Sequence, residues 1–116
     1  MARATPATQN VTADGAVIAL TAAVADGDIA DGGDGVFLVV DNASGGSINV
    51  TLQTEATWRG LAVADRVIAV AAGARKHIPL PAYLRQPSDA VTGPGQVLVD
   101  YSAVTSVTRA VAKLVP

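Results

Sequence analysis

The chain has 116 residues, of which half are apolar, 16% are charged and none is cysteine, and its formal net charge is −2. This length predicts a single domain with one hydrophobic core. The composition disfavours nucleic acid and anionic membranes as partners, and it excludes disulfides, thiolate nucleophiles and zinc sites built from cysteine.

The N-terminal residues 1–12 have no periodic apolar face, so we expect a flexible arm ahead of one domain over residues 13–116. This end of the chain lacks the apolar run of a signal peptide, and no stretch reaches the roughly 18 to 20 apolar residues of a membrane span. We therefore expect a protein that is made in the cytoplasm and stays out of the membrane.

The following segments favour β-strands separated by turns. Residues 16–24 form a short apolar run that predicts a strand, and the Asp/Gly-rich residues 25–35 predict a loop after it. Residues 36–40 are continuously apolar, as in a strand that is covered on both faces. Apolar and polar residues alternate over 47–53, which predicts a half-buried strand. We expect residues 36–52 to form a β-hairpin.

The second half of the chain continues this pattern. Residues 67–72 and 76–80 flank a turn of small residues and predict a second hairpin, whereas residues 58–65 are expected to cross between sheets. Alternation over residues 96–102 predicts a further strand. Residues 106–115 fit both strand and helical spacing, but their Val and Thr content favours a strand.

About seven short strands without a long helical pattern predict an all-β fold. A small antiparallel β-sandwich is preferred to a jelly-roll-like barrel. The low charge and the positive mean hydropathy also indicate that surface is hidden in an assembly, so we expect an oligomer.

Four aspartates in the predicted loop could hold a hard cation such as calcium. They are Asp26, Asp28, Asp31 and Asp34. An EF-hand loop has Asp or Asn at position five, Gly at six and Glu at twelve, whereas this loop has Ala30, Asp31 and Phe37 there. A solvated turn is therefore favoured, and a calcium- or carbohydrate-binding module is the alternative.

Five residues are candidates for contact with a partner. They are Trp58, Arg59, Arg66, Arg75 and His77. Tryptophan and arginine dominate binding hot spots, but a core tryptophan packed by an arginine stem explains Trp58 equally well. His77 is the only histidine and lacks the partners of a catalytic triad, so we interpret it as an exposed or interface residue. We predict no catalytic residue, no metal site and no cofactor.

Three longer stretches carry a family resemblance. They are VVDNASGGSINVTLQT, GLAVADR followed by VIAVAAGARKHIPL, and VLVDYSAVTSVTRAVAKL. The chain resembles, over residues 36–114, small proteins encoded among the head and tail structural genes of tailed bacteriophages that infect actinobacteria. The shared patterns are those of β-hairpins, so the resemblance transfers no individual functional residue.

The resemblance implies a non-enzymatic virion component. The first expectation is a decoration (cement) protein on the capsid surface, which binds the major capsid protein as a trimer. A head–tail connector or a minor tail subunit is the alternative. Exposed β-edges and a loose N-terminal arm suit such a role, because strand addition across neighbouring subunits gives affinity through main-chain hydrogen bonds.

Overall fold

The structure, a computed structural model, describes residues 3–53, 57–59, 61–62, 65–81, 84–86 and 95–114. Within these ranges the chain forms only strands, turns and irregular segments, apart from a 3₁₀ turn at Leu84. The strands are β1 (Thr8–Val11), β2 (Thr21–Ala22), β3 (Asp28–Ala30), β4 (Val36–Asn42), β5 (Ile48–Gln53), β6 (Thr57–Trp58), β7 (Leu61–Ala62), β8 (Arg66–Val70), β9 (Arg75–Pro79), β10 (Val97–Tyr101) and β11 (Val107–Leu114). The predicted all-β class is confirmed.

Nine of these strands form two sheets that face each other. Sheet A has the order β3-β10-β5-β8, and sheet B has the order β1-β11-β4-β9 with β2 also paired to β11. All pairs in both sheets are antiparallel except β1 with β11. The arrangement confirms the predicted sandwich, and the described strands do not close into a barrel.

The core lies between the sheets and is built from aliphatic side chains. Alternate residues of β5 and β10 point into it, as their sequence pattern predicted. Sheet A contributes Val50, Leu52, Val97 and Val99, and sheet B contributes Leu38, Val40, Ile78 and Val111. Burying one such side chain stabilises the fold by about 1.5–3 kcal/mol. The C-terminal segment is strand β11, as predicted, although Val115 lies outside the described residues.

Both predicted hairpins are wrong. Strands β4 and β5 lie in different sheets, and so do β8 and β9. Each connection is an arch that crosses from one sheet to the other, over about 10 Å. The apolar pattern was correct for each strand but could not identify the pairing partner, because neighbours in one sheet and neighbours across the core require the same inward-facing residues. The segment expected to cross between sheets instead carries the small β6–β7 hairpin.

The N-terminal third also differs from the expectation. Residues 8–11, predicted to be part of a flexible arm, form β1 and pair in parallel with β11. Of the predicted strand 16–24, only Thr21 and Ala22 pair with β11, and Val17 is 95% exposed. The predicted Asp/Gly loop contains β3. The strands in this region are only two to four residues long, too short to show a periodic pattern, and their places in the sheets depend on main-chain hydrogen bonds.

Candidate functional site

One side of the sandwich is closed by the N-terminal segment, and we call it the closed side. The amide of Ala4 donates to Gly27 O at 3.0 Å, and the amide of Ile29 donates to Ala4 O at 2.7 Å, beside β3 of sheet A. A few residues later, β1 pairs with β11 of sheet B. One extended segment therefore covers the margins of both sheets.

Side chains strengthen this closure. Arg3 Nη1 donates to Val99 O at 3.1 Å and lies 2.8 Å from a carboxylate oxygen of Asp100. The Thr8 hydroxyl donates to Asp31 at 2.5 Å. Gly27 has a φ of 87°, and a Cβ at this position would collide with Val99 O and the Arg3 guanidinium, so a side chain would push the N-terminal segment away.

A buried charge cluster links the two sheets behind the closed side. Asp28 of β3 is fully buried and Arg109 of β11 is 4% exposed. Arg109 Nε and Nη2 donate to the two carboxylate oxygens of Asp28, each at 2.8 Å. The phenol of Tyr101 also donates to Asp28, and Arg109 Nη1 donates to the Thr21 hydroxyl at 2.5 Å. A bidentate pair of this kind fixes the relative position of both sheets.

The cluster shifts the ionisation of its members. Burial raises the pKa of the Tyr101 phenol far above its ordinary value, and the neighbouring charge of Asp28 raises it further. Hydrogen bonds to Asp28 raise the pKa of the Arg109 guanidinium. Tyr101 and Arg109 therefore keep their protons well beyond neutral pH.

The opposite side of the sandwich ends in strands β8 and β9, and we call it the open side. The amide of Ser102 donates to Asn49 O, and the Asn49 amide donates to the Ser102 hydroxyl. The main-chain N–H and C=O of Asn49 therefore face β10. The alternation of an antiparallel ladder then turns the main-chain groups of Val67 and Ala69 outward, away from β5. No strand in the described part of the chain pairs with them.

Strand β9 also turns main-chain groups outward. The Asn42 amide donates to Ala74 O, and the Leu80 amide donates to Val36 O. Arg75, His77 and Pro79 therefore turn their main-chain groups away from β4. Pro79 has no N–H to donate, and Arg75 and Lys76 carry positive charges along the strand. Proline and charged residues commonly protect an edge strand against unwanted pairing, and β9 has both.

Strand β8 lacks this protection. Its sequence is Arg-Val-Ile-Ala-Val, without proline, and Val67 is 58% exposed. Among the residues that the structure describes, one side chain covers this edge: Lys76 Nζ of β9 donates to Ala69 O at 2.8 Å. A single flexible, exposed side chain thus occupies an acceptor that a further strand would use.

Asn42 forms hydrogen bonds to both arches, the one between β4 and β5 and the one between β8 and β9. This residue is fully buried, and its Nδ2 donates to Gly46 O at 2.9 Å in the first arch and to Val70 O at 3.0 Å in the second. Its Oδ1 accepts hydrogen bonds from the amide and the hydroxyl of Ser44. One amide group therefore links the arch between β4 and β5 to the arch between β8 and β9.

The four candidate cation ligands do not form one site. Asp28 lies in a strand and its carboxylate oxygens bind Arg109, so the expectation that it belongs to a solvated loop is wrong. Asp31 accepts hydrogen bonds from Thr8 and Gln96. Asp26 is half-buried and Asp34 is exposed. Among the described residues, no group of three or more acidic, histidine or cysteine side chains is placed to bind a metal.

Three of the five partner-contact candidates lie on the open side. Arg66 begins β8, and Arg75 and His77 lie in β9. All three are exposed, as predicted for His77, whose ring lies 5.8 Å from that of Phe37. Arg75 forms an ion pair with Asp41 at 2.9 Å. Trp58 belongs to the β6–β7 hairpin, but its side chain lies outside the described part of the structure, and Arg59 follows it with a φ of 53°.

Sequence reasoning missed three residues of structural importance: Asn42, Lys76 and Arg109. Asn42 was interpreted as part of a turn, which is the ordinary role of asparagine after a strand. An arginine within the apolar run of β11 was a usable signal, because a buried arginine requires an anionic partner elsewhere in the chain.

Comparison of the chain with models of protein families, with curated proteins and with solved structures gives no match. In the described part of the chain no helix is long and apolar enough to span a membrane. The open side therefore provides the principal structural basis for a functional proposal.

Proposed function

We propose that this protein is a non-enzymatic structural component of a tailed bacteriophage particle, and first a decoration protein that binds the assembled head. One observation carries the proposal: the sandwich is closed on one side and presents the unpaired main chain of β8 on the other. A domain that presents an unprotected strand edge such as β8 suits repeated attachment to identical subunits, because main-chain pairing does not depend on special side chains.

The resemblance to phage head and tail proteins supports the same proposal. Its stretches include the whole of β8 and β9 and both arches around Asn42. The partner would be the major capsid protein, and the oligomer expected from the resemblance is a trimer. The proposed location is the capsid surface, after synthesis in the cytoplasm of the host.

Co-sedimentation tests this function. Purified protein is mixed with heads, connectors and tails of tailed phages that infect actinobacteria, and the pelleted fraction is measured. We expect binding to heads at many copies per particle. Ala69→Pro should abolish binding, because it removes the outward N–H of β8 without removing a ladder hydrogen bond, whereas Ala69→Thr keeps this donor. Binding to connectors or tails alone would favour the alternative role, and binding to none of the three would contradict the proposal.

A further inference from the structure

We infer that the open edge of β8 takes an extended acidic segment of another protein, which adds as a strand and displaces Lys76 from Ala69 O. This inference rests on the proposed attachment through β8 and specifies the chemistry of the partner. It follows from three features of the edge: its hydrogen-bonding groups, its charges, and the poor fit of a second copy of the same chain.

The hydrogen-bonding groups define where the segment lies. The outward N–H and C=O of Val67 and the N–H of Ala69 need no rearrangement to accept a neighbouring strand. The fourth group, Ala69 O, is bound by Lys76. A strand that uses all four groups must release the Lys76 ammonium, which then needs an anionic partner nearby, because a displaced charge at an interface loses part of its hydration.

Each end of β8 carries a cation, and Asp65, next to Arg66, already takes part in an interaction of its own. Arg66 is exposed and makes no side-chain hydrogen bond or ion pair within the described residues. Lys76 reaches the other end, at Ala69. Arg75 is already neutralised by Asp41 and adds less. An extended segment with carboxylates near its two ends would match Arg66 and the released Lys76.

A second copy of the chain fits this edge poorly. Antiparallel pairing of two β8 strands that matches Val67 with Ala69 brings Arg66 of each copy next to Val70 of the other. This is the end at which Lys76 lies, so each Arg66 would meet the Lys76 of its partner. Like charges placed opposite each other across strands are destabilising, and they discriminate against such a pair.

The test uses synthetic eight-residue peptides of alternating valine and threonine, in which two polar positions carry glutamate, glutamine or lysine. Binding is followed by the backbone amide signals of isotopically labelled protein. We expect the glutamate peptide to shift the amides of Val67 and Ala69 and to bind about tenfold more tightly than the glutamine peptide, with the lysine peptide weaker still. Ala69→Pro should abolish these shifts, and Ala69→Thr should retain them.

A second pair of variants tests whether the bound segment displaces Lys76 from Ala69 O. Lys76→Met should reduce the preference for glutamate over glutamine to about twofold to threefold, since Arg66 is then the main remaining cation at this edge. Lys113→Met removes an exposed cation from β11, away from β8, and should leave the preference unchanged. Equal binding of glutamate and glutamine peptides, amide shifts confined to other strands, or a dimer that Ala69→Pro dissociates would each overturn the inference.

The proposed phage function and the acidic partner of β8 can be tested independently. If heads bind the protein through β8 but the peptides show no charge preference, the acidic partner is wrong and the attachment function stands. If the glutamate peptide binds as expected but heads, connectors and tails do not bind, the chemistry of the edge stands and the phage function is wrong.

Discussion

The two sides of this sandwich solve the same problem in different ways. Every two-sheet sandwich leaves main-chain groups unpaired at its margins, and these groups invite pairing with other chains. The closed side uses the chain itself, because Ala4 and β1 cover the margins of both sheets. On the open side, side chains limit pairing with other chains. Strand β9 carries charged residues and Pro79, and Lys76 donates a hydrogen bond to Ala69 O of β8. The closed side is therefore covered by main-chain hydrogen bonds, whereas β8 is covered by the side chain of Lys76.

The buried pair behind the closed side gives the sharpest test of this contrast. Asp28→Ala leaves Arg109 charged and buried without its carboxylate, and we expect the free energy of unfolding to fall by about 3–5 kcal/mol. The triple variant Asp28→Leu, Arg109→Met, Tyr101→Phe removes the charges together with the phenol hydroxyl, and it should be much closer to the wild type in a urea titration. A triple variant as unstable as the single one would show that the ion pair is not the source of the loss.

Removal of the covering segment should come next in size. Deletion of residues 1–11 removes β1 and the hydrogen bonds of Ala4, and we expect a loss of about 2–4 kcal/mol at about 0.5–1.5 kcal/mol for each hydrogen bond. The exposed margins of β3 and β11 should also cause self-association, detectable by light scattering. Val17→Ser, at an exposed loop position, is the control, and equal behaviour of the two variants would contradict the assignment of the closed side.

The open side has its own critical residue. Asn42→Ala removes the buried amide that bonds to Gly46 O, Val70 O and Ser44, and we expect a loss of about 2–3 kcal/mol because three hydrogen bonds are lost at about 0.5–1.5 kcal/mol each. Asn10→Ala, at an exposed position, should change stability little. Hydrogen exchange of the β8 and β9 amides should increase more than that of β1, and a uniform increase would argue against a local role in the arches.

Alkaline pH should weaken the closed side. The pKa of Tyr101 is higher in the folded than in the unfolded protein, so the contribution of this phenol is complete below the ordinary tyrosine pKa of about 10 and decreases above it. We expect the free energy of unfolding to decrease by up to about 1.4 kcal/mol per pH unit above that point. Tyr101→Phe should reduce this slope. Identical slopes for the two proteins would mean that the phenol is not held protonated by the cluster.

The smallest effect should come from the exposed ion pair on the open side. Arg75 and Asp41 are partly solvated, so Arg75→Ala and Asp41→Ala should each cost about 0–1 kcal/mol, with most of that effect lost at high salt. A double-mutant cycle in urea measures the coupling. A coupling as large as that of the buried pair would show that the open side is held as firmly as the closed one.

The candidate site could be predicted from the sequence only in part. Arg66, Arg75 and His77 were identified as partner-contact candidates from residue type, and the structure places them along β8 and β9. The role of Lys76 could not be derived, since its hydrogen bond to Ala69 O requires that consecutive strands lie in opposite sheets. The aspartates were judged by local spacing, and local spacing contains no information about Arg109, which lies 81 residues from Asp28.

The sequence by itself determined the all-β class and the faces of the main strands, because the side chains of a strand alternate and only one face of β5 or β10 can meet the core. It also favoured a strand at the C-terminus. Only the tertiary structure decided which strands pair, that the chain arches where hairpins were expected, and that the N-terminal segment covers one side. These features depend on main-chain hydrogen bonds and on contacts between distant residues, which leave no periodic trace in the sequence.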